Sequence, residues 1–204
     1  MTDPEIEKAK GVILLEAEAV AQVANQIDKS FLDLAELIGR WPGKVITSGL
    51  GTSGTIARRL AHLLSVTGTP AFFLSPSDGL HGGSAVGVAG DMLFAISKGG
   101  ESGELIQMAA VMKDRGVKIV AMSASRDNPL AREADFVALV DSSSADPGGI
   151  VAMGITLAQG AYGDALALLL MARKGYQWSQ VVHSHPGGAV GKYGDTLLRS
   201  VEAK

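Results

Sequence analysis

Short apolar runs alternate with amphipathic stretches through the middle of the chain. The apolar runs predict five buried strands, at residues 45–49, 70–75, 91–97, 117–125 and 135–141. The amphipathic stretches predict helices, at residues 53–64, 98–116 (after a glycine loop), 128–134 and 150–174. Strands that alternate with helices indicate a parallel sheet with right-handed crossovers. We therefore expect an α/β fold, a doubly wound five-stranded parallel sheet flanked by helices.

Two further helical patterns precede the first strand. Asp3 followed by Pro4 and by acidic residues is typical of a helix start, and a second helix is expected at residues 31–37. We expect residues 1–42 to form an N-terminal helical leader and residues 43–204 to form the α/β domain. Because the domain closes its core without the leader's apolar stripe, that stripe favours a homo-oligomer, either a dimer or a homotetramer.

The longest apolar segment, residues 150–172, is long enough to resemble a membrane span. It contains Gln159, Asp164 and several small residues, which favour a buried core helix. The first ten residues are charged and lack the apolar centre of a signal peptide. We expect a soluble, cytoplasmic protein with no membrane partner.

Composition excludes several function classes. The absence of cysteine excludes disulfides and cysteine-based metal or redox chemistry. A net charge of −3 argues against nucleic acid as a partner, since nucleic-acid-binding domains carry a basic face. The 26 glycines are typical of α/β proteins with tight turns between strands and helices.

Two glycine-rich turns, at residues 49–55 and 97–104, follow predicted strands. Backbone N–H groups approach an anion closely in such turns at helix starts. The first turn fits neither a dinucleotide fingerprint nor a P-loop. Two such turns suggest one phosphorylated ligand, although tight turns and acids that favour a helix start would give the same pattern. The candidate ligand-binding residues are Gly51, Thr52 and Ser53 in the first turn and Ser97, Lys98, Glu101 and Ser102 in the second.

The four histidines leave several interpretations open. His62 lies among leucines in a predicted helix and reads as a structural residue. His81 lies between glycines, where a functional role and a simple turn are equally compatible with the sequence. His183 and His185 lie in the HSHPGG turn after the long helix, and together with His81 they would make a plausible zinc set.

Several stretches together resemble the sugar isomerase (SIS) domain. These are the first glycine turn, SKGGESGEL, LHGGSAVG and GDALALLLMARKGYQWSQVVHSHPGGAVGK. More narrowly, the chain looks like the arabinose-5-phosphate isomerases from about residue 45 to residue 192. The resemblance implies interconversion of an aldose phosphate and a ketose phosphate through an enediol, without a cofactor and without a metal. Many members also carry a tandem CBS pair after the SIS domain, and we expect none here because the chain ends before one would fit.

The resemblance also assigns roles to individual residues. The histidine of the SHPGG motif falls on His185, the glutamate after the third strand on Glu104, and the family's HGD histidine on His81. These three are the candidate catalytic residues. SIS proteins usually place the active site at a subunit interface, so the resemblance implies that His185 reaches into the pocket of a neighbouring subunit.

This sequence departs from the family at positions that matter for charge. Thr52 stands where the family usually has the lysine of GKSG, and Ser144 stands where it has the glutamate of EACP. Gly99 replaces a serine of the SxSG loop, and the hydroxyl run PTSSTT is missing. Lys98 and Asp146 are the nearby residues that would replace the lost charges. We expect a divergent isomerase with a changed sugar phosphate as substrate; the alternative is an SIS protein that binds a sugar phosphate without catalysis.

Overall fold

The computed structural model describes residues 3–202, which form a parallel sheet flanked by helices. The first residues of the predicted leader and the last residues of the predicted domain lie outside this range. The strands are β1 (Val45–Ser48), β2 (Ala71–Phe73), β3 (Met92–Ile96), β4 (Lys118–Ser123) and β5 (Phe136–Leu139). Their order across the sheet is β2-β1-β3-β4-β5, and all four pairings are parallel. The predicted α/β fold is therefore confirmed.

Helices cover both faces and extend beyond the sheet at both ends of the chain. They are α1 (Pro4–Val23), α2 (Lys29–Arg40), α3 (Gly51–Val66), α4 (Pro76–Leu80), α5 (Gly103–Asp114), α6 (Pro129–Glu133), α7 (Gly154–Arg173), α8 (Trp178–His183) and α9 (Gly188–Glu202). Short 3₁₀ turns occupy Ala24–Gln26, Gly83–Val86, Ser143–Ala145 and Pro147–Gly149.

The strands divide the interior into two apolar cores. Met92, Phe94 and Ile96 of β3 pack with α2, α3 and α7, whereas Leu93 and Ala95 of the same strand pack with α5. Strands that are buried on both faces read as continuous apolar runs, which explains why the sequence located them well. Helix α2, which the sequence pattern grouped with the leader, contributes buried residues to the first core.

Helix α1 is only partly packed. Its C-terminal half contacts α7 and buries Ala19 and Val23. Residues 3–15 are all exposed, and Ile13 and Leu14 keep 65% and 70% of their surface in solvent. The leader thus carries an apolar stripe that the rest of the described chain leaves uncovered.

Helix α7 starts later than the sequence indicated. The predicted start at Ile150 is wrong, because Gly148 and Gly149 take positive φ angles of 62° and 69° and the helix begins at Gly154. Ile150 is instead 87% exposed in the loop. Of the helices in residues 3–202, α7 alone is long and apolar enough to span a bilayer, but 56% of its most apolar window is buried in the fold. It is the core helix that was predicted.

Candidate functional site

The two glycine turns lie side by side at the carboxyl edge of the sheet. Strand β2 pairs with one edge of β1, and β3, the next strand in the chain, pairs with the other edge. Ser48 at the end of β1 is opposite Ala95 of β3. In open α/β sheets, ligands bind at such a switch point, outside the carboxyl ends of the strands. The structure therefore brings the two predicted anion-binding turns together.

Close backbone packing explains the glycines of the first turn. A Cβ atom on Gly49 would come within 3.0 Å of the Ile96 carbonyl oxygen, and one on Gly54 within 2.8 Å of the Gly49 carbonyl oxygen. Gly51 takes a φ of 54° and would meet nothing within 4 Å. The backbone of the turn therefore packs closely against the end of β3, and the space next to Gly51, the first residue of α3, is open.

Helices α3 and α5 begin at this edge without side-chain caps. The residues that precede them, Leu50 and Ser102, make no capping hydrogen bond. In contrast, α1, α2, α4 and α6 are each capped by a side-chain oxygen, from Asp3, Asp28, Ser75 and Asn128. Uncapped helix starts leave backbone N–H donors and a positive dipole end available to an anion.

The candidate residues on these helix starts are mostly accessible. Thr52 is exposed in the first turn of α3, whereas Ser53 is buried beside it. Ser102 is half-buried, and Glu101 and Glu104 are exposed without an ion pair to another described residue. Glu104 is thus accessible at the start of α5, and Glu101 remains compatible with its simpler interpretation as a helix-start acid.

Two residues that sequence reasoning missed hold the second turn in place. Ser123 Oγ, at the end of β4, donates to the Lys98 carbonyl at 2.9 Å and accepts from Asn128 Nδ2 at 3.0 Å. Within the turn, Ser97 Oγ accepts from the Gly100 N–H at 3.1 Å. The Asn-Pro pair at residues 128–129 indicated a helix start, but nothing in the sequence linked it to the turn.

Lys98 and Asp146 form an ion pair with each other. The Lys98 Nζ lies 2.7 Å from Asp146 Oδ2, and the Asp146 side chain is fully buried. Asp146 Oδ1 accepts the N–H groups of Met153 and Ile155 at 3.0 and 3.1 Å, at the start of α7. Asp146 is therefore not a free acid that replaces the missing glutamate. Ser144 is exposed.

His81 follows α4, which leaves the carboxyl end of β2. Its N–H donates to the Ser77 carbonyl at 3.1 Å, its side chain is exposed, and Gly82 after it takes a φ of 103°. Because β2 pairs with β1 in parallel, this segment leaves the sheet at the same carboxyl edge as the two glycine turns.

His185 lies away from this edge of its own chain. Its ring is 6.4 Å from that of His62, which is eleven residues after Gly51 on α3. At about 1.5 Å per residue, this separation corresponds to ~16 Å along the helix. Nδ1 of His185 lies 2.7 Å from the Val181 carbonyl oxygen. Since a carbonyl only accepts, Nδ1 is the donor in this contact, which leaves Nε2 available for another hydrogen bond.

The interpretation of His81, His183 and His185 as a zinc site is wrong for a single chain. Among residues 3–202, no three His, Asp or Glu side chains lie close enough to hold a metal ion. His62 is exposed rather than buried among the leucines beside it.

The fold is a parallel α/β domain with two glycine turns at one edge of its sheet, and the SIS domain family model matches residues 40–169. The chain belongs to the SIS domain family. It is 34% identical over 184 residues to the arabinose 5-phosphate isomerase KdsD of Yersinia pestis, which covers 90% of this chain and 56% of that protein. The corresponding Pseudomonas aeruginosa protein is 32% identical over 200 residues, covering 97% and 60%.

A solved structure agrees with these relatives. An Escherichia coli CFT073 protein in complex with arabinose 5-phosphate matches with a TM-score of 0.86 and 29% identity, covering 91% of this chain and 100% of that chain. The present chain therefore corresponds to the full length of that structure, but it spans little more than half the length of the curated relatives that it matches.

Proposed function

We propose that this chain is an aldose–ketose isomerase domain that acts on a phosphorylated sugar of the arabinose 5-phosphate type, without a cofactor. The observation that carries the proposal is the pair of uncapped helix starts, α3 and α5, at the switch point between β1 and β3. The relatives named for this reaction, and the structural neighbour solved with arabinose 5-phosphate, support the same substrate class.

The phosphate is bound by the two helix starts. Backbone N–H groups of residues 51–53 and 103–105 have no capping side chain to satisfy them. The hydroxyl groups of Ser97 and Ser102 line the second turn and supply further donors. Backbone donors and helix dipoles hold a phosphate without a lysine in the first turn, where Thr52 now stands.

The proton transfer requires groups that work on both sides of the enediol. Moving a proton between C1 and C2 needs a base of moderate pKa and a donor beside the carbonyl oxygen. Glu104 is accessible at the start of α5 and serves as the carboxylate base, and His185 offers Nε2 as an acid–base group. His81, on the β2 side, is the third candidate for the acid–base steps, including ring opening.

The complete site is shared between subunits. His185 lies beside His62, which is about 16 Å along α3 from the start of that helix, so we place His185 outside the site of its own chain. The exposed Ile13 and Leu14 of α1 favour burial against a second copy. The assembly that we propose is a homo-oligomer, a homotetramer in its largest form, in which the partner's copy of this histidine completes each site.

The proposed location is the cytoplasm, because a phosphorylated sugar is charged and does not cross an apolar membrane unaided.

An assay of ketose formation tests this proposal. The protein is incubated with a panel of aldose phosphates, arabinose 5-phosphate among them, and ketose phosphate is measured over time, with Glu104→Gln as the control. We expect turnover of at least one substrate and its loss in the variant. If no sugar is converted but one raises the melting temperature, the non-catalytic alternative is correct, which the lost lysine and glutamate at Thr52 and Ser144 favour. If none is converted and none binds, both proposals fail.

A further inference from the structure

The Lys98–Asp146 ion pair fixes a cation at the carboxyl edge of the sheet. Lys98 Nζ lies 2.7 Å from Asp146 Oδ2 and donates to the Gly149 carbonyl at 3.1 Å. An ammonium group has three N–H donors, and these two contacts use at most two of them, so at least one remains. The Lys98 side chain is 26% exposed, whereas that of Asp146 is fully buried. The remaining donor is therefore the part of this pair that a ligand can reach.

Lys98 is also fixed through its backbone. Its carbonyl accepts from Ser123 Oγ at 2.9 Å and from the Ala124 N–H at 3.0 Å. A lysine side chain carries about 2 kcal/mol of rotamer entropy, which is lost when it is held in one position. Here the fold has already ordered the side chain before a ligand arrives, so the ammonium is preorganised against the loop at residues 146–149, while its backbone lies in the turn that leads from β3 to α5.

Asp146 links this cation to the neighbouring helix. One carboxylate oxygen accepts two backbone N–H groups at the start of α7, those of Met153 and Ile155, and the other faces Lys98. In the family motifs quoted above, Lys98 occupies the variable position of SxSG and Asp146 the position of the cysteine of EACP. The ion pair therefore requires a charged residue at one position of each motif, and this chain has both.

We infer that Asp146 is a positioning residue that holds Lys98 so that its third N–H binds the anionic group of the ligand. This inference rests on the proposed function, and it assigns to Lys98 the cationic role that the first turn lost at Thr52. Lys98 would touch the ligand; Asp146 acts only through Lys98.

The chain contains a matched control for this pair. Lys44 and Asp91 also form an ion pair, Nζ to Oδ2 at 2.5 Å, with side chains 33% and 4% exposed. Asp91 likewise accepts two backbone N–H groups, from Lys44 and Val88. These residues precede β1 and β3, so the control pair lies at the amino edge of the sheet, away from the candidate site.

Four variants of the full chain separate positioning from stability: Lys98→Met, Asp146→Asn, the two combined, and Asp146→Glu. KM and kcat, or Kd where there is no turnover, are measured with arabinose 5-phosphate. The amide introduced by Asp146→Asn keeps an oxygen for the start of α7 and loses the charge that faces Lys98. We expect Lys98→Met to raise KM about tenfold to a hundredfold, the range for a charged hydrogen bond. Asp146→Asn should raise it about tenfold, with no further rise in the double variant, and Asp146→Glu should restore part of the affinity.

The control variants Lys44→Met and Asp91→Asn should lower the melting temperature and leave KM unchanged. The inference is overturned if Asp146→Asn lowers the melting temperature but not the affinity, or if the effects of the two single variants add in the double variant. In those cases the wild type still binds arabinose 5-phosphate and the proposed function stands. If the wild type neither converts nor binds any sugar phosphate, the proposed function fails, and this inference fails with it.

Discussion

The ring of His185 lies edge-on to the ring of His62, with centroids 6.4 Å apart and planes at 88°. This contact places the candidate catalytic histidine beside the middle of α3, while the glycine turn is at the start of that helix. The Val181 carbonyl fixes the proton on Nδ1 of His185. The histidine is thus oriented by its own chain but separated from its own turn, which is the arrangement expected of a group that serves a neighbouring subunit.

The first prediction concerns this shared site. His185→Ala and Glu104→Ala variants should each be inactive alone and regain activity when mixed after subunit exchange, because some sites then combine an intact histidine with an intact glutamate. With random pairing of equal amounts in a symmetric dimer, about a quarter of the sites are restored, so partial activity is expected. Isomerase activity of the mixture measures the effect.

A pull-down between differently tagged variants must show that mixed assemblies form. The shared-site model is wrong if mixed assemblies form and no activity returns. A mixture of His185→Ala with His81→Ala tests in the same way whether His81 acts with the glycine turns or with the histidine of the partner.

A second prediction concerns the missing lysine. Thr52→Lys should strengthen binding of a sugar phosphate about tenfold or more, because a charged hydrogen bond contributes roughly 1.5–3 kcal/mol. Without ligand the same change should lower stability by about 0.3–1 kcal/mol, because it places a cation at the positive end of α3. Isothermal titration and thermal unfolding measure the two effects. Thr52→Gln, of similar length but uncharged, is the control, and equal affinities for the two variants would exclude a phosphate near this turn.

A third prediction concerns pH. Burial alone would raise the pKa of Asp91, but hydrogen bonds from Lys44 Nζ and from the Val88 and Lys44 N–H groups outweigh it, so the pKa is lowered. A lowered pKa in the folded state adds stability above the ordinary pKa of about 3.9 and loses it as the pH falls through the folded value. Asp91→Asn should therefore lower the melting temperature at pH 7, and its difference from the wild type should shrink below about pH 4.

The matched control for this measurement is Asp127→Asn. Asp127 pairs with Arg132 at 2.9 Å, but its side chain is 90% exposed, and exposed pairs contribute little. The explanation is wrong if the Asp91→Asn difference persists unchanged at low pH.

A fourth prediction concerns the leader. If α1 forms the proposed subunit interface, replacing Ile13 and Leu14 together by glutamate should dissociate the assembly, since charges would then occupy the apolar stripe of α1. Light scattering coupled to size exclusion measures the mass. Val111→Glu, at an exposed apolar position on α5, is the control. If the shared site is correct, isomerase activity should fall together with the mass; an unchanged mass would show that α1 is not the interface.

The sequence predicted the sheet well because its signal is local. β1, β3 and β4 are buried on both faces, so their apolar runs need no knowledge of neighbours. The glycine turns were also predicted from the sequence, since tight turns at strand ends require glycine where the backbone packs closely. Helix α4 was missed because its five residues carry too little periodicity, and α8 and α9 were missed because the HSHPGG stretch was read as a terminating turn.

The candidate site was only partly predictable, because its contacts join distant parts of the chain. Asp146 stands where the family has a cysteine. Nothing in the neighbouring sequence indicates that its side chain caps α7, through the N–H of Met153, or that it pairs with Lys98. The apolar pair Ile150 and Val151 suggested the start of a buried helix, yet the glycines before it turn the chain outward. Which subunit His185 serves depends on assembly, which a single sequence does not encode in any local pattern.

A fifth prediction follows from the packing of α7 on α3. Gln159 is 1% exposed in α7, and neither its amide oxygen nor its amide nitrogen has a hydrogen-bond partner among the described residues. Leaving such a group unsatisfied costs about 1–3 kcal/mol. Gln159→Met keeps nearly the same length and removes both polar atoms, so it should raise the melting temperature by about 2–4 °C per kcal/mol gained. Gln107→Met, on the exposed side of α5, should change nothing. A fall in melting temperature for Gln159→Met would contradict this prediction, and a rise with loss of activity would mean that its polarity is retained for function.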